Sequence, residues 1–321
     1  MLGLLCDGLA WTMDEEPPIL PSKSGHLPAR ARLGSARLGY EPLQELFSRV
    51  AAPLAKGRTP GAFPGDRRLV AIDGTCLDVG DTEENAAFFG RPGTDNGEQT
   101  AFPQARVVAM AECGTHAVFD AVVGSCTTAE NTLAVDLVDR LTPGMLLLAD
   151  RGFCGFHRWS RAASTGADLL CRATSVMKPR ITDTLSDGSF LAELRPSGNA
   201  ARKAEPLPIR IVEYTIDDGR NHDETYRLFT TNLDPDDVSA TDLAAAYTQR
   251  WEIENTFDEL KVHQRGPRAV LRSKSPELVL QEVWGHLCCH YAIRTLMWEA
   301  AETDGLARGR IGVRIMADWR R

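Results

Sequence analysis

"GMLLLADRGF", Gly144 to Phe153, is a short, fully apolar run that stops at Asp150 and enters a glycine-containing turn. It reads as a strand. Upstream, "RRLVAIDGTCLDV" (67–79) reads as another, with Val70 and Ile72 buried on the way to Asp73. "ARVVAMAECGTHAVFDAVVGS" (105–125) reads as two strands joined at Cys113-Gly114-Thr115, a hairpin. "TTAENTLAVDLVDRL" (127–141) follows at helical spacing, with Thr128 as its N-cap. Downstream, "FHRWSRAASTG" (156–166) reads as a helix closing at Gly166, and "ADLLCRA" (167–173) as a further strand. Three antiparallel strands, then two more alternating with helices, predict an α/β fold: a mixed sheet with helices packed on it.

The character of the chain changes on either side of this core. Residues 1–66 are rich in Pro, Gly, Arg and Ser, with one helix expected near Glu41 to Leu54, and read as an arm. The core runs first over 67–173. Residues 174–238 form a β-rich insertion, with "PIRIVEYTIDDG" and "TYRLFTTNL" alternating as strands. Residues 239–321 return to helices. Ser239 and Asp242 make a capping box for a helix expected to run to Gly266-Pro267. A last helix is expected from Ser275-Pro276-Glu277 to Gly305, with Ser as N-cap and Pro at the first helical position.

Composition narrows the class. The 321 residues are 43% hydrophobic, enough for one large domain or two smaller ones with real cores. A net charge of −8 argues weakly against a nucleic-acid partner, although local charge can override the total. Eight scattered cysteines without a C-x-x-C pair point to reduced thiols in a cytoplasmic protein. No zinc spacing and no membrane-length apolar run is present.

Three carboxylates stand at special points. Asp73 is expected to end the first strand and Asp150 the fourth; Glu254 lies on the helix after the insertion. That helix carries "YTQRWEIENTFDELK", Tyr247 to Lys261. On an ideal helix Tyr247, Arg250, Glu254 and Lys261 fall within about 60° of one another. Ile253, Phe257 and Leu260 form an apolar stripe beside them, while Glu252, Thr256 and Glu259 would occupy a solvated far side. Ligand sites in open sheets form outside strand ends, where distant residues meet. Three anions gathered there need a proton or a cation, since two charges ~4 Å apart repel by about 4 kcal/mol at an effective dielectric near 20. An all-oxygen set suits Mg²⁺ or Mn²⁺. Arg250 and Lys261 would then grip phosphates. Taken singly, each aspartate could instead open a turn, and Arg250–Glu254 could be a surface ion pair.

These three segments resemble the acidic motifs of the DDE transposases of bacterial insertion sequences, specifically the IS4 family. The third matches the pattern Y-x-x-R-x-x-x-E-x-x-x-x-x-x-K at Tyr247, Arg250, Glu254 and Lys261, and the likeness extends from about Pro21 to Met297. The resemblance implies an RNase H-like core interrupted by a β-rich insertion. It implies Asp73, Asp150 and Glu254 as a catalytic triad binding Mg²⁺ or Mn²⁺. It also implies Tyr247, Arg250 and Lys261 at the DNA backbone, and cut-and-paste transposition of double-stranded DNA by a homodimer on paired terminal inverted repeats, acting on target DNA in the bacterial nucleoid. Residues 1–66 would be the truncated remainder of a helical DNA-binding domain. Two other readings use the same residues: a truncated, inactive remnant that only binds DNA or a full-length partner, and a carboxylate-pair glycosidase.

Overall fold

The computed structural model describes residues 39–303, apart from 58, 60, 63, 94–98, 175, 197–203, 217–223 and 265–269. In chain order the core comprises α1 (Glu41–Val50), β1 (Arg68–Asp78), α2 (Glu83–Phe89), β2 (Gln104–Glu112), β3 (Val118–Ser125), α3 (Glu130–Leu133), β4 (Met145–Ala149), α4 (Phe156–Ala163) and β5 (Asp168–Arg172). Then come β6 (Arg180–Thr184), β7 (Phe190–Leu194), β8 (Leu207–Ile216) and β9 (Glu224–Thr230). Three helices follow: α5 (Ala240–Thr248), α6 (Glu252–Asp258) and α7 (Pro276–Thr303).

The strands make one sheet in the order β3-β2-β1-β4-β5-β9-β8-β7-β6. β1, β2 and β3 are antiparallel, and β4 and β5 continue parallel to β1. This is the RNase H-like mixed sheet. All five residues of β4 are buried, as a parallel strand covered on both faces must be.

Period-two alternation sorts side chains between two cores. Leu69, Ala71, Leu146 and Leu148 pack with Phe47 of α1, Ile253 and Phe257 of α6 and Trp284 of α7. Val70, Ile72, Leu147 and Ala149 pack on the opposite face with Leu137, Val138 and Trp159. The apolar stripe of the signature segment is confirmed: Ile253, Phe257 and Leu260 are all buried. Each such side chain contributes up to about 1.5–3 kcal/mol.

The insertion strands extend this same sheet, because β9 pairs antiparallel with β5. Arg210 of β8, fully buried, ion-pairs with Asp187 and donates to the carbonyls of Asp234 and Val238. Asp187 also accepts the backbone N–H of Ala240 at 2.8 Å. The insertion therefore anchors the start of α5.

Four sequence expectations change. Asp73 lies in the middle of β1 rather than at its end, because β1 runs on beside β2 after β4 has stopped. Thr128 caps nothing; α3 is one turn long with Ala129 at its N-cap position. Helix α2 was not foreseen, although Thr82 Oγ1 accepts the Asn85 N–H at 3.2 Å as an N-cap does. The Tyr247–Lys261 segment is not one regular helix: a 3₁₀ turn, Gln249–Trp251, joins α5 to α6, and a π turn, Glu259–His263, follows. The Ser239 cap is as expected, its Oγ accepting the Asp242 N–H at 3.1 Å. The seven described cysteines are free thiols. No helix among the described residues is long and apolar enough to cross a membrane. Cys6, most of the N-terminal arm and the C-terminal end lie outside the described residues.

Candidate active site

Register brings the two aspartates together. β1 and β4 pair in parallel up to Ala71 and Leu148. Asp73 and Asp150 each stand two residues beyond that last pair. Both therefore point to the face that Ala71 and Leu148 share, where the signature segment packs. Beyond Ala149 β4 is gone, so the edge of β1 at Asp73 opens into a cleft.

The third acid arrives through Arg250. Its Nη1 donates to Asp73 Oδ2 and its Nη2 to Glu254 Oε1, both at 3.2 Å. The Arg250 side chain is only 10% exposed, whereas that of Glu254 is 44% exposed. Asp73 Oδ1 accepts the Gly74 N–H at 2.8 Å, and Asp150 Oδ1 accepts the Gly152 N–H at 2.7 Å. Among the described residues no three His, Cys, Asp or Glu side chains close around one point. In this arrangement Arg250 is the cation that joins Asp73 to Glu254.

Electrostatics mark the cleft as strongly acidic. Burial pushes the Asp73 carboxyl up to about 6, and the charges of Asp150 and Glu130 add to the rise; the Gly74 N–H and Arg250 oppose it. A shift of that size is worth about 3 kcal/mol against the ionised form.

The other predicted residues divide. Tyr247 is buried, and its hydroxyl donates to the Ala149 carbonyl at 3.3 Å, pinning the segment to the end of β4. Lys261 is half-buried in the π turn, with no ion pair among the described residues. Trp251 is exposed, with the Arg250 guanidinium 4.8 Å from its ring centroid.

The far side of the segment is not solvated. Thr256 is fully buried, and the His116 ring nitrogens lie 2.8 Å from Glu252 Oε2 and 3.1 Å from Glu259 Oε1. Glu259 also pairs with Arg294 of α7. His290 Nε2 donates to the His116 carbonyl at 2.9 Å, and burial pulls its pKa down to about 4. Sequence reading missed this cluster because its partners come from three separate elements.

Comparison with known proteins agrees with the motifs. A family model described as a transposase DDE domain matches residues 64–292. The chain belongs to the DDE transposase family. Transposase InsG of insertion sequence element IS4, from Escherichia coli (strain K12), is 30% identical over 269 residues. That match covers 83% of this transposase chain and 60% of InsG, so the chain spans about three fifths of that relative. A putative transposase of the same organism, InsZ, is 28% identical over 134 residues, 42% of this chain and 43% of InsZ. A piggyBac transposase synaptic complex with hairpin DNA overlaps 91% of this chain and 57% of its own, at a TM-score of 0.49 and 10% identity.

Proposed function

We propose that this DDE transposase cleaves and joins DNA at insertion-sequence ends, with Asp73, Asp150 and Glu254 as its metal-binding catalytic acids. One observation supports the reading: the parallel β1–β4 register carries Asp73, in mid-β1, alongside Asp150, just past β4, and Arg250 ion-pairs with both Asp73 and Glu254. The donor chemistry fits Mg²⁺ or Mn²⁺, since every candidate ligand is a carboxylate oxygen and the negative charge exceeds what Arg250 balances. When bound, such ions supply Lewis acidity that activates a water or 3′-hydroxyl and stabilises the leaving oxygen.

The chain's own groups have separate tasks. The Gly74 and Gly152 N–H groups hold one oxygen of each aspartate, and Arg250 takes the second oxygen of Asp73. Arg250 holds Glu254 at Asp73 and offers a guanidinium to a phosphate entering there. Lys261, with no ion pair among the described residues, offers a second cation to the DNA backbone. Tyr247 serves that backbone by positioning, through its bond to Ala149. The full reaction would take place on double-stranded DNA, with a homodimer holding paired inverted repeats and target DNA, in the bacterial cytoplasm.

The test is cleavage of end-containing DNA by Asp150→Asn in Mg²⁺. Cleavage should be lost, and the wild type should stop in EDTA, as a glycosidase would not; undiminished cleavage by the variant would reject the assignment. A second reading stands beside it: binding of DNA or a full-length partner without cleavage. A gel shift on the same ends separates the two.

A further inference from the structure

One more acid lies against β1 next to Asp73. Glu130 opens α3 on the sheet face opposite α6, the face that Val70 and Ile72 share. A Cβ placed on Gly74 would stand 2.5 Å from the Glu130 carboxyl carbon, so glycine at 74 is what lets this side chain lie against the backbone next to Asp73. The charge of Glu130 is felt at Asp73. The next residue, Asn131, donates its Nδ2 to the carbonyl of Gly152 at 3.4 Å, two residues past Asp150. A single turn of chain thus touches the backbone that follows each aspartate. Its nearest cation is Arg106, 3.9 Å away and itself donating to the Thr128 carbonyl at 2.7 Å. The Glu130 carboxylate accepts no hydrogen bond among the described residues, and the side chain is 38% exposed. A carboxylate held this close to Asp73, loosely paired and open to solvent, has oxygen lone pairs to offer a cation.

We propose that Glu130 is a fourth carboxylate of the divalent-cation site, reaching it from the face opposite Glu254. The inference rests on the metal-dependent reading above. It assigns Gly74 a role as well: space for the Glu130 side chain.

Titration of Mn²⁺ into the full DNA-free chain, followed by electron paramagnetic resonance, tests this directly. Glu130→Gln should weaken Mn²⁺ binding about tenfold or more, in the direction expected when one charged ligand of a hard cation is lost. Its melting temperature in EDTA should not fall. Gly74→Ala should weaken binding in the same direction, because the added methyl displaces the carboxylate without removing it. Glu130→Asp should recover part of the loss. Wild-type Mn²⁺ affinity in Glu130→Gln, with Asp150→Asn defective, would overturn the role of Glu130 and leave the triad standing. Wild-type affinity in both variants would overturn the metal site as a whole.

Discussion

The signature segment carries charge clusters on both its sides, and they are built in opposite ways. On the cleft side Asp73, Asp150 and Glu254 outnumber Arg250, and Glu254 remains substantially exposed. On the back, Glu252 and Glu259 are met by Arg294 and the His116 ring, with His290 fully sequestered behind. A largely buried cluster whose carboxylates are tied to Arg294 and the His116 ring holds elements together, since removing one member strands its partner. An acidic cluster left in surplus beside a partly exposed glutamate is what the proposed cation site requires. The lesson is that the sign of the imbalance, more than the number of charged residues, separates a working site from a structural one.

Replacing one glutamate from each side of the segment, Glu254 and Glu259, should break this contrast most sharply. Glu254→Gln should cut DNA cleavage by about a thousandfold, on the order of 4 kcal/mol in barrier. Chemical denaturation should show its folding stability to be unimpaired. Glu259→Gln should do the reverse. It leaves Arg294 buried without its carboxylate and should cost about 3–5 kcal/mol of stability, while any folded protein keeps the cleft acids in place. Equal stability losses in both variants would abolish the distinction.

pH sharpens it, because the two sides respond with opposite sign. Asp73 is raised from its ordinary 3.8 to about 6. Its contribution to stability is full below 3.8 and lost as pH rises through 6. In EDTA, Asp73→Asn should therefore be more stable than wild type above pH 6, by up to about 3 kcal/mol, with the gain vanishing in acid. His290 is lowered from 6.5 to about 4. Its contribution is full above 6.5 and lost as pH falls through 4, again by up to about 3 kcal/mol. His290→Gln should flatten that acid limb in a series of denaturant melts. The opposite slopes in the two variants are the observable.

The smallest effect belongs to Lys261. If it touches one phosphate, Lys261→Ala should weaken DNA binding only a few-fold and lower the slope of log affinity against log salt by about one. An unchanged slope would remove it from the interface.

Much of this architecture could be read in the chain. The apolar run Met145–Ala149 ending at Asp150 announced a buried strand, and the Ser239 cap announced the start of α5. The rest was hidden for specific reasons. A strand's end depends on where its neighbours stop, so Asp73 could be placed only once the pairing with β4 was known to stop at Ala71, well short of β1's far end at Asp78. Ideal helical spacing put Glu252, Thr256 and Glu259 on a solvated face, but that face packs on the β2–β3 turn and α7. Glu130 carried no local signal beyond an acid in a helical pattern, and its approach to Gly74 is a contact between segments 56 positions apart in sequence.

Sequence alone determined the alternation of strands and helices, the family, and which acids end apolar runs, because these follow from local periodicity and from motif spacing. Only the tertiary structure decided which charges meet. Strand order set Asp73 beside Asp150, the turns of the signature segment set Arg250 between Asp73 and Glu254, and packing closed the opposite side into a hydrogen-bonded, largely buried network. Electrostatic environment is a property of neighbours in space, and neighbours in space are what a linear pattern leaves open.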